Sequence, residues 1–148
     1  MKVAVFGKVI SPEARPDIET LHRILIDAGI DFVVFEKLNN FIVEHCDLGL
    51  NFPTFANHKD LIAYAPDFLI TVGGDGTILD ATTLVRDSKI PIVGINMGRL
   101  GFLSNVSRNK IEEAIAALIA GKYKLSERSL LALESDALDL EMPFALMK

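Results

Sequence analysis

The residues with the clearest chemical potential are Gly73-Gly74-Asp75-Gly76-Thr77. Glycine lets a backbone take positive φ and lets a ligand approach closely. Successive N–H groups in such a turn cup phosphate oxygens, and a helix starting there adds partial positive charge. Asp75 has the wrong charge for holding an anion, so it needs another task. Beside a phosphoryl group, a carboxylate can accept the proton of an attacking hydroxyl. An ordinary aspartate, with a pKa of about 3.9, is a weak base toward a sugar hydroxyl. It must act late in the transfer, or have a raised pKa. The plainer alternative is that Asp75 caps a helix and the glycines only make a turn.

The surrounding elements favour the chemical reading. Asp67–Val72 is an apolar strand running straight into the glycines, and Ile78, Leu79, Thr82 and Val85 follow at helical spacing, to about Asp87. Ile90–Ile95 reads as the next strand and leads into a second glycine-bearing loop, Asn96–Gly101. Upstream, Val3–Phe6 suits a buried parallel strand. A helix is predicted from Asp17 to Ala28, closed by Gly29, and a second strand over Asp31–Glu36. Leu38–Glu44 and His58–Ala65 read as helices, with a loop over Gly49–His58. Asn109 and Glu112 have N-cap and N3 spacing for a last helix that ends at Gly121. This alternation predicts an α/β, Rossmann-like parallel sheet with flanking helices, binding its ligand at the carboxyl ends of the strands. Residues 1–125 form the predicted nucleotide-binding domain. Residues 126–148 read as the first strands of a truncated β-rich C-terminal domain, because two strands cannot bury a core alone.

Composition removes other classes. The chain has 148 residues, 50% of them hydrophobic, and a net charge of −5. It is too apolar for a disordered tail, and its apolar runs are too short for a membrane span. Acidic and with no Lys/Arg block, it is a poor candidate for a nucleic-acid surface. The single cysteine, Cys46, excludes a disulfide framework and fits a reducing cytoplasm. There is no P-loop, and Gly7 alone follows the first strand, so the usual dinucleotide fingerprint is missing.

Gly73-Gly74-Asp75-Gly76-Thr77 resembles a signature shared by NAD kinases and by diacylglycerol and sphingosine kinases. Gly94-Ile95-Asn96-Met97-Gly98-Arg99-Leu100-Gly101-Phe102-Leu103 resembles the NAD kinase branch, and the lipid-kinase segment expected there is absent. The resemblance runs from Met1 to about Phe144. It implies ATP-dependent (or polyphosphate-dependent) phosphorylation of the adenosine-ribose 2′-hydroxyl of NAD, giving NADP. Asp75 would be the general base and would also contact NAD, beside Gly76, Leu79 and Phe102. Gly73, Gly74, Thr77 and Asn96 would face the donor phosphates, Asn96 also holding the second loop. Mg²⁺ would arrive with ATP, with no tightly bound cofactor and no protein metal site. A cytoplasmic homo-oligomer, dimer or tetramer when full length, is implied, with neither nucleic acid nor membrane as partner. The alternatives are a lipid kinase or a non-catalytic nucleotide-binding module.

NAD kinases are nearly twice this length. The Asn-acid pair they carry after a segment like Pro143-Phe144-Ala145-Leu146 is absent, so these residues alone are expected to turn over little. Several residues are not given a chemical role. His22 reads as a partly exposed helix residue, His58 as a surface histidine and Cys46 as an inert thiol. His45-Cys46 lacks a second pair for zinc. Arg99 could meet a phosphate or a surface carboxylate. Lys122-Tyr123-Lys124 reads as a solvated connection.

Overall fold

The structure is a computed structural model; it describes residues 1–8, 12–46, 52–98, 101–132 and 144–146. The chain runs β1 (Lys2–Phe6), a 3-10 turn, α1 (Arg15–Asp27), β2 (Asp31–Phe35), α2 (Glu36–His45), β3 (Thr54–Phe55), α3 (His58–Tyr64), β4 (Phe68–Val72), α4 (Asp75–Val85), β5 (Ile92–Asn96), β6 (Val106–Ser107), α5 (Ile111–Ile119), β7 (Leu130–Ala132) and β8 (Phe144–Leu146). The first six strands form one parallel sheet in the order β3-β2-β1-β4-β5-β6.

The reason these runs are strands is two-sided burial. Every residue of β4 is buried, as are Val3–Phe6 of β1. Ile18, Leu21 and Leu25 of α1, with Leu38 and Ile42 of α2, close over Val5, Val34 and Val72 on one face. There α1 also meets α5, and elsewhere α3 packs on α4. Gly29 ends α1 in the left-handed region, at φ 62°, and Gly121 follows α5 at φ 67°.

The chain steps outward from β1 to β3, then restarts at β4 on the other side of β1. Strand order therefore reverses between β1 and β4, which opens the crevice where such sheets bind ligands. The carboxyl end of β4 at this point is Val72, followed at once by the glycine turn.

Some boundaries differ from expectation. The last helix is not capped by Asn109: a 3-10 turn over Arg108–Lys110 comes first, and Lys110 is the N-cap residue. Asn109 instead accepts a hydrogen bond from the Ser107 hydroxyl. Strand β2 stops at Phe35 because Glu36 already opens α2. The segment expected as loop contains β3, which pairs with β2 through Val34–Thr54 and Phe35–Phe55. Gly49, Arg99 and Leu100 lie outside the described residues. Strands β7 and β8 pair antiparallel as a separate two-stranded sheet. Among the described residues no helix is long and apolar enough to cross a membrane.

Candidate active site

The first loop is set by backbone. Gly73 has φ +152°, and a Cβ there would collide with the Thr77 hydroxyl. Its N–H donates to the Ile95 carbonyl at 3.0 Å, so the turn is tied to β5 before the chain turns away. Gly74 is the extended N-cap residue of α4, and the helix opens at Asp75. The first N–H groups of any helix lack an intrahelical carbonyl, so those of Gly74, Asp75 and Gly76 open α4 as donors.

The second loop is set by side chains, and its anchor is Asp75. The Phe102 N–H donates to Asp75 Oδ2 at 2.8 Å. Asp75 Oδ1 accepts from the Leu103 N–H at 3.0 Å, the Ser104 N–H at 2.9 Å and the Ser104 hydroxyl at 3.1 Å. The Ser104 Oγ in turn accepts from Asn96 Nδ2 at 2.8 Å, and Asn96 Oδ1 accepts from the Gly98 N–H at 2.7 Å. The carboxylate thus joins the start of α4 to residues 102–104.

These donors favour the charged carboxylate and hold its pKa below the ordinary value. The Ser104 N–H contributes most and the Phe102 N–H next. Partial burial opposes them, and Leu103 and the Ser104 hydroxyl add to the lowering. A raised pKa, one of the two routes to a useful base, is therefore not the one this geometry takes. Two glycines make the cradle possible. A Cβ on Gly101 would overlap the Asp75 carboxylate, and one on Gly94 would come within 2.8 Å of Ser104 Cα.

The expected site residues fall in three groups. Gly73, Gly74, Asp75, Gly76 and Thr77 sit together at the β4–α4 junction. Leu79 lies one turn along α4 from Asp75, and Phe102 is on the docked loop. Both are exposed, Phe102 by 96%. Asn96 is different: its carboxamide is 3% exposed and bonded to Ser104 and Gly98, so it works inside the loop.

Sequence reasoning missed Ser104 and Lys8. Ser104 is fully buried and carries half of the Asp75 hydrogen bonds, but a lone serine after a glycine motif gives no signal. Lys8, just past β1 at the crevice, pairs with Asp80 of α4 at 3.3 Å. Cys46, His58 and Tyr123, set aside earlier, stay apart from the site. Cys46 is buried, with its thiol pKa pushed up by burial and then by Glu19, against Arg15. His58 Nδ1 meets the Leu84 carbonyl at 2.6 Å and ties α3 to the end of α4. Tyr123 packs edge-on to Phe68.

Strand order, switch-point crevice and glycine turn define an α/β nucleotide-binding fold. The family described as the ATP-NAD kinase N-terminal domain matches residues 3–123, and the chain belongs to it. A NAD kinase of Flavobacterium psychrophilum is 43% identical over 134 residues, covering 90% of this chain and 45% of that protein. One from Methanothermobacter thermautotrophicus is 31% identical over 146 residues, covering 99% and 47%. Yeast NADH kinase complexed with NADH shares the fold at TM-score 0.68 and 20% identity, over 99% of this chain and 45% of that one. An Archaeoglobus fulgidus NAD kinase in complex with ATP does so at TM-score 0.55 and 23% identity, over 88% and 41%. The chain spans about half the length of the curated relatives it matches.

Proposed function

We propose that the protein carrying this chain is a NAD kinase, transferring the γ-phosphoryl group of ATP to the 2′-hydroxyl of the adenosine ribose of NAD. The observation that carries this reading is the Asp75 carboxylate, fixed by residues 102–104 at the opening of a glycine-turned helix beside the switch-point crevice. Gly73, Gly74 and Thr77 line the turn offered to the donor phosphates. Gly76, Leu79 and Phe102 offer backbone and apolar surface to NAD, the exposed Phe102 ring suiting an adenine face. Asn96 contributes indirectly, by holding the loop.

In the transfer, the 2′-oxygen bonds to Pγ as the bond from Pγ to the β–γ bridging oxygen breaks, and ADP leaves. The hydroxyl proton passes to Asp75. Because the cradle lowers the Asp75 pKa, the proton moves late, once the new O–P bond has made it acidic. Positioning and charge stabilisation supply the rest. Mg²⁺ accompanies ATP and neutralises phosphate charge. The carboxylates at this edge, Asp75 in its cradle and Asp80 on Lys8, are already engaged, which suits a cation carried by phosphate oxygens. Strands β7 and β8 belong to a second, β-rich unit of a cytoplasmic homo-oligomer.

The test is NADP formation from NAD and Mg-ATP by the whole gene product beside its Asp75→Asn variant. An asparagine oxygen in the Oδ1 position keeps three of the four hydrogen bonds, so the fold survives while turnover drops to near zero. Near-parental turnover in the variant would remove Asp75 as the base. A folded parent making no NADP would move the assignment to a lipid acceptor or a nucleotide sensor.

A further inference from the structure

We propose that the Ser104 hydroxyl makes this serine a positioning residue: it joins two backbone N–H groups on Asp75 Oδ1 and so turns Oδ2, with spare acceptor capacity, toward the proton. The inference rests on the reading of Asp75 as the base. A carboxylate oxygen offers two lone pairs. Asp75 Oδ1 meets three donors, two of them from Ser104, while among the described residues Oδ2 meets only the Phe102 N–H. The two oxygens are therefore unequal: two of the Oδ1 donors are backbone N–H groups, and the Ser104 hydroxyl is the side chain that adds to them.

The direction of the Ser104 proton follows from the backbone. The Gly98 N–H can only donate, so the Asn96 group facing it, at 2.7 Å, is the carbonyl oxygen Oδ1. That turns Asn96 Nδ2, a donor only, toward Ser104 Oγ at 2.8 Å. The hydroxyl must accept there, and its own proton points to Asp75 Oδ1. Asn96 and Ser104 are 3% and 0% exposed, so water does not compete for these bonds. The Gly101 N–H donates to the Ser104 carbonyl at 3.3 Å and closes the turn that presents the serine. Backbone geometry at Gly98 thus orients a catalytic carboxylate through two buried side chains.

The experiment uses the whole gene product with Ser104→Ala and Ser104→Cys, the latter keeping a weaker donor of similar size. NADP formation is followed against pH, and the Asp75 carboxyl is titrated by carbon NMR in aspartate-labelled protein. In Ser104→Ala, kcat falls on the order of tenfold or more, with KM for NAD changed by less than about threefold. Losing a donor to the charged form raises the carboxyl pKa, so the Asp75 titration and the acidic limb of the rate profile both move to higher pH. Ser104→Cys lies between parent and alanine and answers the question where the alanine variant does not fold. A parental Asp75 titration in the variants overturns the proposal, as does a loss that falls on KM or stability alone. If the parent makes no NADP, the kinase reading fails, while the Asp75 titration still judges the part played by Ser104.

Discussion

The two halves of the sheet, divided at the β1/β4 switch, are stabilised by different means. In the half from β1 to β3, side chains meet as hydrocarbon: Phe6 packs on Phe35 and Phe35 on Phe55, and Leu38 and Ile42 close over Val5 and Val34. In the half from β4 to β6, the carboxyl edge buries polar groups instead, and Asn96, Ser104 and Asp75 satisfy one another. The apolar half tolerates change in proportion to volume, whereas the polar half works as a unit in which one lost partner strands the rest. Substitutions in the first half should therefore read out mainly in stability, and those at the site edge mainly in turnover.

The largest expected effect breaks the cradle. In Gly101→Ala the new methyl overlaps the Asp75 carboxylate, which must leave its donors. Turnover by the whole gene product should fall by about 100-fold or more, while overpacking costs about 1–3 kcal/mol in denaturant unfolding. Parental turnover would show that the carboxylate works without its cradle.

Gly73→Ala tests the other loop. The residue needs φ +152°, and a Cβ meets Thr77, so strain of about 1–3 kcal/mol is expected in denaturant unfolding. Here a backbone-set loop at the site edge should lose stability as well as turnover, and full stability in the variant would contradict the turn. Phe102→Ala is the reverse case. With the ring 96% exposed, unfolding should not change, but KM for NAD should rise about tenfold at nearly parental kcat. An unchanged KM would remove the ring from the dinucleotide site.

The same contrast explains what the sequence discloses. Elements whose burial is periodic, such as β4 or α1 with Ile18, Leu21 and Leu25 inward, are legible because their pattern is their structure. The glycine turn is legible because few other sequences take that backbone. Strand β3 is not, since two residues beside Pro53 carry no period and gain their place from pairing with β2. The Asn109 cap fails because local spacing cannot foresee the 3-10 turn that enters α5. At the site, Asp75 is found by type, but its low pKa and its dependence on Ser104 come from contacts 29 residues apart.

The smallest effect concerns a polar exception in the apolar half. His22 on α1 lies against Phe32 and Phe52, and among the described residues its buried Nε2 has no hydrogen-bond partner. Burial lowers its pKa below 6.5. The unfolded chain therefore takes up the proton at higher pH than the folded one. His22's contribution is complete above about pH 6.5 and shrinks as pH falls from there toward the folded-state pKa. The contribution of Asp75, also lowered, is complete above about pH 3.8 and is lost only below it, so the two windows separate. His22→Leu fills the same space without a polar atom. It should raise stability at pH 7 by about 1 kcal/mol and flatten the loss below about pH 6.5, with NADP formation unaffected. Urea unfolding at pH 7 and at lower pH measures both. A slope that persists in the leucine variant would place the titrating group outside this apolar face.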